Sequence, residues 1–221
     1  MNRVNNVEPG SMEAKHQNYI NAYTRMRKGL LLVFVGWLIT AIALMVFLGT
    51  ILTEISGYGF GYRLIRSFSD LMATMAILFV MMIVAGIITL IGLWKDFLPG
   101  VDMLASINPE FSTSRTLLRL GYFWGIILAI ISIPLLFVLV GFLTIIISGI
   151  LILLGHIGLV ILAFKLKDVE GETLYLVIGI LTILGMFISI LTAIALILLY
   201  IALGSSIAKR QQQFSPQVTT L

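Results

Sequence analysis

The run from residue 121 to residue 164, GYFWGIILAIISIPLLFVLVGFLTIIISGILILLGHIGLVILAF, contains no Asp, Glu, Lys or Arg. At about 1.5 Å rise per residue it makes roughly 66 Å of helix, about twice the ~30 Å hydrocarbon thickness of a bilayer. It must therefore cross a membrane twice. Ser132 and Pro134 offer one place for the turn and Gly141 another. Division at Gly141 gives spans over 119–140 and 142–164, whereas Pro134 leaves unequal halves, so the turn is placed at Gly141 and Pro134 is read as a kink.

Three further blocks have the same character. Residues 29–52, 71–94 and 174–204 are each long enough to cross and lack an internal charge, which gives an all-α, polytopic transmembrane helix bundle of about five spans. Composition agrees: 60% of residues are hydrophobic, 11% are charged and the mean hydropathy is +1.11, against about a quarter charged in soluble domains. Span five, at about 46 Å of helix, exceeds the hydrocarbon layer and should tilt or project.

The polar segments divide the chain into residues 1–28, a cytoplasmic polar or interfacial segment, residues 29–208, the bundle, and residues 209–221, a flexible polar tail. No cleaved signal is expected, because Arg3, Lys15, Arg25, Arg27 and Lys28 precede any long apolar run. Tyr19, Ile20, Tyr23 and Met26 fall at helical spacing, so this segment continues span one as an interfacial helix whose basic end, Arg25, Arg27 and Lys28, meets headgroups. The connection 95–119 places Phe97, Val101 and Leu104 on one face that would rest on the bilayer surface. Within it Asn108, Pro109 and Glu110 form a helix start. Arg115 and Arg119, one turn apart, would snorkel towards phosphates.

With the amino terminus inside, the inner segments hold ten Lys and Arg and the outer ones four. That bias predicts a cell-membrane protein with a cytoplasmic amino terminus and an external carboxyl terminus. The net charge of +4 is explained by this orientation, and no nucleic-acid partner is expected.

His156 is the one His, Lys, Arg, Asp or Glu side chain inside an expected span, between Gly155 and Gly158. Polar groups at membrane depth are functional candidates, so a proton relay, a haem ligand or a metal ligand has to be weighed. His16 lies in the polar segment, and no acid shares the depth of His156. A neutral His bonded to a Ser, Thr or carbonyl of a neighbouring helix is the favoured reading, with Thr144, Ser148, Thr182 and Ser189 as partners. Gly121 and Gly125 form a GxxxG pair, and with Gly155 and Gly158 they mark surfaces where helices approach closely, within the chain rather than between copies.

Ile55, Ser56, Gly57, Tyr58 and Gly59 invite comparison with a potassium-filter sequence. A filter needs a preceding pore helix, and span one ends a few residues upstream, so the segment is read as an aromatic interfacial turn. Glu54 is assigned to pairing with Arg63 or Arg66. The chain has no Cys, which removes disulfides and thiolate chemistry. No phosphate loop, dinucleotide fingerprint or zinc-binding His pair is present. An enzyme, a cofactor and a metal are accordingly not expected. The expected partners are the lipid bilayer and either another membrane protein or a second copy.

The segment Gly158, Leu159, Val160, Ile161, Leu162, Ala163, Phe164, Lys165, Leu166 is echoed by Ala195, Leu196, Ile197, Leu198, Leu199, Tyr200, Ile201, Ala202, Leu203, each a span end with a polar exit. Together with Ile91, Gly92, Leu93, Trp94, Lys95, Asp96, Phe97, Leu98 and the Gly-containing start at Gly121, this resembles an archaeal family of multi-spanning membrane proteins of uncharacterised function. That resemblance implies neither an activity nor a functional residue. The sequence favours a structural or accessory membrane component, with small-solute or ion permeation around His156 as the alternative.

The chain is expected to remain with membranes through an alkaline carbonate wash and to be released by detergent. Recovery as a monodisperse species in detergent-free buffer would overturn the assignment.

Overall fold

The computed structural model describes residues 9–56, 64–135 and 140–214, and among these residues there is no β-strand. The first helix, α1 (Pro9–Ser56), is unbroken and at about 1.5 Å per residue extends roughly 72 Å, far longer than a bilayer crossing. Next, α2 (Leu64–Ile91) runs through a π-helical turn (Gly92–Phe97) into α3 (Leu98–Ile107), with Ile91 and Leu98 both in helical conformation. The rod ends at Asn108, whose backbone is extended (φ −136°, ψ 112°). Asn108 Oδ1 accepts the Glu110 N–H at 3.1 Å, capping a 3₁₀ turn (Pro109–Phe111) that leads into α4 (Ser112–Leu118). A second π turn (Arg119–Trp124) carries α4 into α5 (Gly125–Leu135), and α6 (Val140–Glu170) returns. Gly171, at φ +71°, reverses the chain into α7 (Thr173–Gly185). After Met186–Ile188 the last helix, α8 (Ser189–Phe214), packs back along α7.

Among the described residues five helical stretches are long and apolar enough to cross a membrane: Glu13–Leu52, Met72–Ile107, Pro109–Ser132, Val140–Glu170 and Ile190–Gln213. Only 17–33% of their apolar windows is buried inside the protein. The large apolar side chains left outside lie mainly on α1, α2, α5 and α6 away from the Glu170 end, and around the α7–α8 turn. The packed core lies at the Glu170 end. There Tyr23 and Met26 of α1, Phe97 and Leu104, Phe111 and Leu118, Leu162 and Leu166 of α6, Tyr175 of α7 and Leu199 of α8 are buried together.

Both π turns sit where two helices cross on glycines. Gly92 in the first meets Gly29 of α1 closely enough that a Cβ on Gly29 would lie 2.5 Å from the Gly92 carbonyl oxygen. Gly121 in the second lies against the backbone of Gly155 and Leu151 in α6, with no room for a Cβ. A π turn widens the helix locally and turns its faces, and the missing side chains let the backbones approach. Ser148 of α6 completes the second crossing by donating to the Gly125 carbonyl at 2.8 Å.

Several expectations are corrected. The stretch 95–119 is helical rather than a polar connection, and Phe97, Val101 and Leu104 are buried against α1 instead of resting on lipid. Tyr19, Tyr23 and Met26 likewise bury in protein. Gly141 lies inside α6, so the turn does not fall there, and Pro134 is in the last turn of α5. Residues 174–204 are two antiparallel helices, since α7, about 20 Å long, ends at Gly185 before crossing. Gly185 packs against Thr192. Residues 209–214 continue α8, and His16 Nε2 lies 2.7 Å from the Arg210 carbonyl oxygen. The described ends of the chain therefore meet at one end of the bundle. The Ile55–Gly59 comparison and the pairing of Glu54 with Arg63 or Arg66 lie outside the residues and side chains described.

Gly121→Leu should lower stability by about 2 kcal/mol or more, as overpacking does. Gly149→Ala, where a Cβ meets nothing within 4 Å, should stay within about 0.5 kcal/mol. Thermal unfolding in detergent reads the contrast, and equal melting of the two variants would remove the crossing argument.

Candidate functional site

Two places in the bundle gather polar chemistry. At the first, α6 ends on Glu170, whose residue exposure is 6%. Tyr23 of α1 donates its hydroxyl to Glu170 Oε1 at 2.6 Å. Arg210 of α8 donates from Nε to the same oxygen at 3.0 Å and also from Nη2. Lys209 Nζ donates to the Glu170 backbone carbonyl at 3.1 Å. The Arg210 guanidinium lies 4.3 Å from the ring centroid of Tyr19, and its backbone carbonyl takes His16. One carboxylate thus joins α1, α6 and α8.

The neighbouring helix is tied in by hydroxyls. Tyr175 of α7 shares a 2.8 Å hydrogen bond with Ser206 of α8, and Ser205 donates to Glu172 at 3.1 Å. Nearer the edge, Arg115 Nε donates to Asp102 at 2.6 Å while Arg119 lies 3.8 Å from the other oxygen of that carboxylate. Lys165 and Glu110 form a looser exposed pair at 3.5 Å. Arg115 and Arg119 therefore reach a protein carboxylate. Arg27 is stacked 4.3 Å from the ring centroid of Tyr200, with its buried Nε lacking a hydrogen-bond partner. Arg25 and Lys28 are exposed on α1.

The second place is at the depth of His156. A cavity of about 280 Å³ lies between α1, α6 and the α7–α8 turn, lined by Trp37, His156, Met186, Thr192 and Leu196 among others. Turn N–H groups at Met186, Phe187 and Ile188 bond back to the carbonyls of Ile183 and Leu184 at 3.1–3.2 Å, so the reversal is largely satisfied inside its own backbone. His156 Nδ1 lies 3.0 Å from the Ile152 carbonyl oxygen, one turn back on α6, and its ring packs edge-on against Tyr122 at 5.5 Å. The partner is thus on its own helix, not a neighbouring one. Of the partners named from sequence, Ser148 bonds Gly125, Thr144 bonds Val140 and Gly141, and Thr182 bonds Ile178.

Gly121 and Gly155 meet directly, Gly125 faces Ile152, and Gly158 faces the backbone of Leu117 and Leu118. Among the described residues no group of three or more His, Cys, Asp and Glu is placed to hold a metal ion. Sequence reasoning missed Glu170, which read as one of five charges in a short connection. The available signal was Tyr19, Tyr23 and Met26 at helical spacing in a polar segment, a buried face without an evident partner.

A family model covers residues 19–220, and the chain belongs to that family, DUF973, of proteins of unknown function. No curated protein and no solved structure matches it.

Glu170→Ala should destabilise by about 3 kcal/mol or more, because it leaves the Arg210 charge without its partner. Tyr23→Phe, which removes one hydrogen bond and keeps the ring, should cost about 1 kcal/mol. Thermal unfolding in detergent orders them, and a Glu170→Ala protein as stable as the parent would remove the carboxylate from its central place.

Proposed function

We propose that the protein is a multi-pass integral membrane protein with a non-catalytic, structural or accessory role, and that its Glu170 end faces the cytoplasm. The observation that carries the reading is the use made of three carboxylates in the bundle, Glu170, Asp102 and Glu110. Glu170 holds helices together, and Asp102 and Glu110 pair with Arg115, Arg119 and Lys165. A catalytic acid or base has to be open to a substrate in a cleft, and these are engaged in architecture.

Orientation is supported by the placement of basic residues. Lys15, Arg25, Arg27, Lys28, Lys95, Arg115, Arg119, Lys165, Lys167, Lys209 and Arg210 all gather at the Glu170 end, against Arg66 at the start of α2. The asymmetry exceeds that expected from sequence because α7 and α8 return the chain, which moves Lys209 and Arg210 to the inner side. The hairpin then enters from the cytoplasmic face and goes back. The bilayer is the principal partner, since most of each apolar window has no neighbour within the protein, and a second membrane protein or copy is the accessory partner.

Permeation is a second reading, favoured by the cavity beside His156. Flux in proteoliposomes separates the two: the first expects no more leak than empty liposomes. Flux lost in His156→Ala with the fold retained would replace it. The chain has no Cys, so Glu13→Cys, Ser106→Cys and Gln212→Cys, all exposed, should react with an impermeant maleimide from the cytoplasmic side alone. Reaction of Gln212→Cys from the opposite face would overturn the orientation.

A further inference from the structure

We propose that the cavity at the α7–α8 turn binds a neutral long-chain alcohol, a lipid whose polar head is a single hydroxyl. His156 and Thr192 line it together with the Trp37 indole, whose one polar atom is an N–H donor, in otherwise apolar surroundings. His156 Nδ1 lies against the Ile152 carbonyl, which only accepts, so in the neutral ring Nδ1 holds the proton and Nε2 presents a lone pair. Among the described residues no hydrogen bond reaches Nε2. Thr192 also breaks a local pattern. Thr40, Thr89 and Thr182 each donate to the carbonyl one turn back, at 2.8–3.0 Å, whereas the Thr192 hydroxyl has no such bond.

An acceptor and a hydroxyl left open at this depth are each costly. In the proposed complex the ligand hydroxyl donates to His156 Nε2 and accepts from Thr192, two side chains that line the same cavity. An alkane satisfies neither. A carboxylate brings a charge to membrane depth and offers no proton to Nε2.

The remaining lining, Trp37, Leu153, Met186, Ala193 and Leu196, suits an alkyl chain. A cavity of about 280 Å³ has room for more than a single water-sized head. Access is lateral from the bilayer, where Phe187 is 85% exposed beside the turn. The inference does not depend on the accessory role proposed above.

The test uses the full chain in nanodiscs and a long-chain primary alcohol carrying a diazirine. Photolabelling should saturate and map to α6 around Leu153–His156 and to residues 185–196. The unlabelled alcohol should compete, whereas the alkane and the carboxylate of equal length should be at least about tenfold weaker. His156→Ala and the near-isosteric Thr192→Val should each weaken competition about fivefold, the effect of one lost hydrogen bond, while Phe142→Ala on an exposed face should not. Label scattered over exposed faces, or competition by the alkane equal to that by the alcohol, would overturn the proposal in the parent protein alone. Unchanged competition in Thr192→Val would overturn it as well.

Discussion

The Glu170 carboxylate is buried at the meeting point of three helices and needs partners there. Burying an ionised group is costly unless an opposite charge and hydrogen bonds compensate it. Here Arg210 supplies the charge and Tyr23 a hydroxyl, and both must arrive from parts of the chain far from α6. The first part of α1 and the last part of α8 are therefore bound to be helical and to meet at the same end. Polar residues that read as a tail and an interfacial segment become structural because one carboxylate requires them.

That end of the molecule is built differently from the rest. Near water, the hydrophobic effect drives a packed core, and aromatic and aliphatic side chains from six of the helices bury there. Deeper in the membrane, lipid chains compete with side chains on equal terms, and helices adhere through close backbone approach. The Gly121–Gly155 crossing serves this second regime, while the Gly29–Gly92 crossing, beside Leu30 and Phe97, borders the packed core; each has a π turn on one partner. The cavity beside His156 lies where the regimes meet, where α7 stops and leaves Trp37 of α1 and His156 of α6 without a further helix turn between them.

Membership of a family of unknown function leaves the meaning of the fold to its own chemistry. The ion pairs act as fasteners.

The sequence by itself determined that the protein is a bundle of membrane helices, because long runs without charge leave the backbone no other way to satisfy its hydrogen bonds in hydrocarbon. It also marked Asn108 as a helix start, since the cap, the proline and the acid act within one turn. It did not determine the break at Met186–Ile188, where residues on both sides are as apolar as a continuous span. It did not reveal that Phe97, Val101 and Leu104 face protein, since an amphipathic face reads the same against lipid and against another helix. The pairing of Tyr23 with Glu170 and of Glu170 with Arg210 was decided by tertiary structure alone. Helical periodicity reports neighbours three or four residues away, whereas these partners are 147 and 40 residues apart and meet only once the helices have packed.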